Sequence, residues 1–303
     1  MPKKDREMLS CKCGNRLALG GQPLLWIRLQ PVKRHDPACK LDDFETKADA
    51  DSWRKKRSHM FRSGRNANLS IAETLADCTY AHPCGSPACP SCMRQFRRYI
   101  SGAFCSLLDE IGWSKGTGYA VTAVPNWAVV TPGELVKFDM NKANIRVRKV
   151  LERSNIRDAL VVGGWDFSCN SSSSQSGTKF WQPHLYLLFP LIEDKEELRA
   201  ALTRCFPSSE LNPRPIYIEV LSDPLEAITY AFKGVFKLRT SYTDDNGRRN
   251  TRSRHRLPAP LERELLTYLD NTGMTDRMFL RNVRRRGCRL VANPRDERNT
   301  DNG

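Results

Sequence analysis

No apolar run in this 303-residue chain is long enough to span a bilayer, and its opening MPKKDREMLS lacks the apolar stretch of a secretory signal. A cytoplasmic protein without a membrane partner is therefore expected. No Gly-x4-Gly-Lys-Ser/Thr sequence occurs, which excludes a P-loop ATPase. No internal repeat is visible. Acidic residues are in the minority, 34 Asp and Glu against 49 Lys and Arg, giving a net charge of +15 and a pI near 9.5. In a reducing compartment the 11 cysteines are not expected to form structural disulfides, so clustered ones read as metal ligands. The hydrophobic content of 40% suits a globular chain with one large core or two modest ones.

The basic excess is not spread evenly. Residues 1–68 carry 16 Lys and Arg against 8 Asp and Glu, residues 237–303 carry 16 against 9, and residues 69–236 balance at 17 against 17. Basic flanks around a neutral body are the footprint of a protein that grips a polyanion, with affinity that falls as salt rises. The expected organisation is a basic N-terminal arm over 1–77, a zinc-binding segment and helix over 78–112, a folded domain over 113–240 and a basic C-terminal region over 241–303.

Within this frame, apolar spacing predicts a helix over 96–111 with Ile100, Phe104, Leu107 and Ile111 on one face. GYAVTAVPN, DALVVGGWDFS and FWQPHLYLLF read as strands. A helix is expected from about Glu134 to Leu151, its outer face basic through Lys142, Arg146 and Lys149, and others over 193–205, 224–237 and 260–270. The order of elements describes an α+β fold, an antiparallel sheet backed by helices.

DCTYAHPCGSPACPSCMRQFRRY brings Cys78, Cys84, Cys89 and Cys92 within fifteen positions. A Cys-Pro-x-Cys knuckle grips one ion with two thiolates, and the earlier pair completes a tetrahedral set suited to zinc. Four thiolates leave no open position, so the expected role is structural. His82 is an alternative ligand, and Cys11, Cys13, Cys39 and His35 could form a second site. Arg94, Arg97 and Arg98 follow on the helix, where they are expected to face phosphates. Arg284, Arg285 and Arg286 offer the same charge in the tail.

The segment CGSPACPSCMRQFRR resembles the cysteine segment of rolling-circle plasmid and phage replication initiators of the HUH endonuclease superfamily. GYAVTAVPN is similar to that family's first motif, QPHLYLLF to its second and EAITYAFKGVFK to its third, in the right order over about 78–237. The resemblance implies an HUH/RRM-like nicking domain that cuts and rejoins origin DNA through a 5′-phosphotyrosine. Tyr230 would be the nucleophile, with Tyr217 and Tyr242 as rivals, and Lys233 at i+3 the assisting cation. Alternation places His184 and Tyr186 on one strand face, and Asp166 on the neighbouring strand could point the same way. That group would hold a catalytic Mg²⁺ or Mn²⁺ beside the structural Zn²⁺.

The second motif departs from the family, which has histidine where this chain has Tyr186. Three arrangements stay open: a cation held by His184, Asp166 and water, a Tyr186 that ligates or positions phosphate, and a degenerate site that only binds DNA. A separate host helicase is the implied second partner besides the DNA origin. The alternative reading is a non-catalytic zinc-containing DNA-binding regulator, and a third is an RNA-binding zinc protein.

Overall fold

The computed structural model describes residues 44–64, 67–171, 178–210, 212–243 and 249–293. The strand expected at LLWIRLQPV and the second cysteine set (Cys11, Cys13, Cys39, with His35) lie outside them. Among the described residues no helix is long and apolar enough to cross a membrane.

The described chain begins with helix α1 (Lys47–Arg62), opened by a capping box in which Thr46 Oγ1 accepts from the Asp49 amide and Asp49 Oδ2 from the Thr46 amide. Helix α2 (Leu69–Ala76) follows, capped by Asn68. Helix α3 (Pro90–Glu110) starts with proline at its first turn, where a missing amide hydrogen costs nothing. Ile100, Phe104 and Leu107 of the predicted face are fully buried together with Phe96, whereas Ile111 is half-buried at the C-cap.

The sheet is built from β1 (Tyr119–Ala123), β2 (Val161–Ser171), β3 (Lys179–Phe189), β4 (Ile216–Val220), β5 (Lys237–Thr243), β6 (Arg249–Arg256) and β7 (Met278–Arg281). Its order is β4-β1-β3-β2-β5-β6, with β7 also paired to β2. The expected antiparallel sheet is corrected to a mixed one, because β5 runs parallel to the far end of β2 while every other pair is antiparallel. A parallel pairing requires a crossover. After β4, at one edge, the chain runs through helix α6 (Pro224–Ala231) and re-enters the sheet on the other side of β2. That connection carries α6 across the face of β3 and β2.

The two sheet faces differ in chemistry. Trp165, Phe167, Trp181, Leu185 and Leu187 face a core closed by helices α4 (Met140–Glu152), α5 (Lys195–Cys205) and α7 (Ala259–Thr272). There Trp165 donates to Asn144 Oδ1 at 2.8 Å, Trp181 to Glu264 Oε2 at 3.0 Å, and Phe138 meets the Trp165 and Phe167 rings edge to face. Helix α4 is shorter than expected, with a 3₁₀ turn at Leu135–Lys137 before it. The opposite face carries Gly164, Asp166, Ser168 and Asn170 from β2 beside Tyr186, His184 and Gln182 from β3. Gly164 is required: a Cβ there would lie 2.4 Å from the Phe232 ring, which ends α6 and stacks edge to face on Phe96.

The described parts of both flanks pack into the folded body and do not stand off it as loose basic arms. Arg57 of α1 is buried and donates to the Ala88 carbonyl at 3.0 Å and the Gly234 carbonyl at 2.9 Å, with Glu262 of α7 3.2 Å from its Nε. Arg54 is buried too, its guanidinium on Asp51 and on the last carbonyls of α2. At the other end α7 and β7 belong to the main body, and β8 (Val283–Arg286) with β9 (Arg289–Ala292) form a hairpin that buries Val283 and Leu290.

Arg57→Met should destabilise the protein by about 3–5 kcal/mol, because it strands Glu262 and two carbonyls without their buried partner. Urea unfolding checks this, and Arg57→Met combined with Glu262→Met should recover part of the loss. Wild-type stability in the single variant would show that the pair is dispensable.

Candidate functional site

The cysteines converge. Cys78 follows α2, Cys89 caps α3 and Cys92 lies in its first turn. The Sγ atoms of Cys78 and Cys92 are 3.6 Å apart, those of Cys84 and Cys92 3.7 Å, and those of Cys89 and Cys78 3.6 Å. A tetrahedral zinc with Zn–S of about 2.3 Å needs sulfurs roughly 3.8 Å apart, so the four can hold one metal ion such as zinc. The Cys84 and Gly85 amides point at Cys78 and Cys92 sulfurs, 3.4 and 3.3 Å away, as a shell that steadies thiolates requires. Hydrogen bonds from Cys84, Cys89 and Cys92 hold Cys78 far below the ordinary thiol range. His82 is exposed and outside the group, so it is not the substitute ligand that its position in the sequence allowed.

Two of the arginines after the knuckle, Arg94 and Arg97, bond to the protein's own backbone. Arg97 is buried, ion-paired with Glu45, stacked 4.5 Å from the Phe44 ring and bonded to the Thr229 carbonyl at 3.2 Å. Arg94 donates to the Glu45 carbonyl at 2.7 Å. Arg98 and Arg285 are half-buried, whereas Arg284 and Arg286 are exposed.

The predicted nucleophile and its neighbours also meet. On α6 the Tyr230 ring lies edge to face on Tyr186 of β3, centroids 4.9 Å apart. The Lys233 ammonium sits 4.1 Å from the Tyr230 ring centroid and 6.0 Å from that of Tyr186. It also lies 2.7 Å from Asp166 Oδ2. Asp166, 1% exposed, is the cross-strand partner of His184, itself 4% exposed. Burial works to raise the Tyr230 phenol, but Lys233 and the hydrogen bonds from Tyr186 and Lys233 outweigh it, leaving the group below its ordinary value. Burial holds Tyr186 well above its own. Burial pushes His184 down to about 4, with Asp166 pulling the other way and Arg239 and Lys233 adding to the fall. The imidazole is therefore neutral at physiological pH, with Nε2 3.1 Å from Ser168 Oγ. Of the rival tyrosines, Tyr217 is 63% exposed on β4, in register with Thr122 and through it with Tyr186. Tyr242 lies on β5 opposite Asn250.

The donor set expected for Mg²⁺ or Mn²⁺ is not assembled. Among the described residues the four cysteines are the only group of three or more His, Cys, Asp or Glu side chains placed to share an ion. Both Asp166 oxygens are shut off from solvent without a well-formed hydrogen bond, and the nearby ammonium compensates the charge. Tyr186 offers a neutral phenol where an imidazole was wanted. One engaged carboxylate and one imidazole do not suit a hard divalent ion that seeks several oxygens.

Sequence reasoning missed a polar ladder beside the site. Ser168 Oγ reaches Asn170 Oδ1 at 3.2 Å, and the Asn170 amide donates to Gln182 Oε1. The signal was present in DFSCN and QPHLY, where polar residues recur at every second position of a strand. It also missed Arg277, fully buried, whose guanidinium donates to the Trp165 carbonyl at 3.2 and 3.0 Å and to the Lys233 carbonyl at 3.4 Å. No family model, curated protein or solved structure matches the chain.

Cys89→Ser should release the bound metal and lower the melting temperature, read by metal analysis and thermal unfolding; unchanged metal content and melting would refute the four-cysteine centre. His184 gives a pH signature. Its folded pKa lies below the unfolded value of 6.5, so its contribution is intact above pH 6.5 and is lost as pH falls towards 4. The loss is about 3 kcal/mol. His184→Gln should flatten the stability–pH curve across that window in urea titrations, and an unaltered slope would count against a buried neutral imidazole.

Proposed function

We propose that this chain is a rolling-circle replication initiator, a DNA nicking and joining enzyme of the HUH type acting on plasmid or phage DNA in the cytoplasm. The observation that carries the reading is a phenol lowered below its ordinary pKa on a helix crossing the polar sheet face, against an ammonium anchored on a buried carboxylate. An ordinary phenol is a weak nucleophile near neutrality, and a neighbouring cation is the standard means of activating it.

In the proposed reaction the Tyr230 oxygen, its proton lost to solvent, attacks the phosphorus of a single-stranded DNA linkage. A tyrosyl O–P bond forms as the P–O3′ bond breaks, and O3′ leaves with the electron pair and takes up a proton. The products are a 5′-phosphotyrosine and a free 3′-hydroxyl, and reversal rejoins the strand. Lys233 supplies positive charge where negative charge builds on the phosphate oxygens. The metal-loaded cysteines hold the start of α3, and exposed Arg284 and Arg286 would bind backbone phosphates. A separate helicase would open the duplex, since the sequence carries no P-loop.

The short donor set favours one competing reading, a zinc-containing DNA-binding regulator without chemistry. A pool of random single-stranded oligonucleotides labelled at the 3′ end separates the two. The initiator should yield a covalent protein–DNA band on denaturing gels that Tyr230→Phe abolishes. Gel retardation with no covalent band, with or without Mn²⁺, would establish the regulator.

A further inference from the structure

The expected metal pocket already contains a cation, and it belongs to the chain. Lys233 Nζ is 2.7 Å from Asp166 Oδ2 and 4.1 Å from the centre of the Tyr230 ring, between the only carboxylate on this stretch of strand pair and the phenol. An ammonium has three donors, so Lys233 can keep its ion pair with Asp166 while its N–H groups serve the phenolate and a phosphate oxygen. The lysine is also fixed from behind. Its backbone amide returns to the Tyr230 carbonyl at 3.2 Å, its carbonyl accepts from buried Arg277 at 3.4 Å, and the next carbonyl accepts from Arg57 at 2.9 Å.

The surroundings oppose a second cation. Asp166 faces Lys233 and also feels Arg277, while Arg239 acts with Lys233 on His184. One negative side chain is thus set against three positive ones. A divalent ion would enter a pocket of net positive charge and displace the ammonium from its carboxylate, whereas a phosphodiester brings the missing negative charge.

We propose that Lys233 takes the place of the divalent metal, so that the exchange at Tyr230 runs on the ammonium alone and the pocket is an anion site for the scissile phosphodiester. This inference rests on the nicking reading above. The bond changes are those already given, and no further reactant is needed.

The test uses the full chain, with its zinc content measured, in buffer freed of divalent ions by a chelating resin, and the 3′-labelled oligonucleotide pool. The covalent band should form at rates within about twofold with and without added Mn²⁺. Lys233→Met should slow it by roughly 100-fold or more, without rescue by Mn²⁺. Electron paramagnetic resonance of added Mn²⁺ should show no bound ion that Asp166→Asn abolishes. A band that depends on Mn²⁺ by about tenfold or more would overturn the inference while leaving the nicking reading intact. So would a stoichiometric Mn²⁺ signal lost in Asp166→Asn, a readout that stands even if Lys233→Met fails to fold. No band under either condition would defeat the nicking reading and this inference with it.

Discussion

Three buried guanidinium groups hold the last turn of the tyrosine-bearing helix and the residues just after it, and the candidate site depends on them. A helix leaves its last carbonyls without partners. Here Arg97 takes the Thr229 carbonyl of the last turn, and past the helix end Arg277 takes the Lys233 carbonyl and Arg57 the Gly234 carbonyl. The donors come from α3, from the turn before β7 and from α1. Burying a charge is expensive unless it is paired and hydrogen-bonded, and each arginine meets that demand differently. Glu45 answers Arg97 and Glu262 answers Arg57, whereas Arg277 relies on the Trp165 carbonyl and the field of Asp166.

That arrangement explains why a balanced central sequence needs its basic flanks. The polar face of β2 and β3 presents Asp166 and His184, but only a helix crossing it at the right depth brings Tyr230 and Lys233 to them. Crossover topology sets the direction of α6, Gly164 sets its height through Phe232, and the arginines fix its end. In the proposed initiator, nucleophile and cation are therefore positioned by elements lying before, within and after the sheet.

Much of this was readable in the sequence, and the failures share a cause. The cysteine cluster followed from spacing, because four sulfurs so close in the chain can meet only locally. The cross-strand meeting of Asp166 and His184 followed from alternation. Charge counting cannot tell an arginine that faces water from one that donates to a carbonyl, so Arg54 and Arg57 were counted with the arm. In SWRKKRSHMF a finer signal existed: Arg54, Arg57, Ser58 and Phe61 share one helical face and are buried together. The parallel placement of β5 was beyond local pattern, since strand order is settled by contacts far apart in sequence. The stretch RNVRRRGCRL looked like a tail because three consecutive arginines in a short hairpin mimic an unstructured basic run.

The bond from Arg57 to the Ala88 carbonyl ties the cysteine knuckle to the residue next to Lys233. One side chain thus couples the cysteine cluster to the Lys233 pocket. Chelating agents that strip sulfur-bound metal would loosen Ala88, and the slack would pass through a single guanidinium to the end of the tyrosine-bearing helix. Sensitivity to such agents would then report the integrity of a remote brace, and would be easily mistaken for the signature of a metal at the scissile bond.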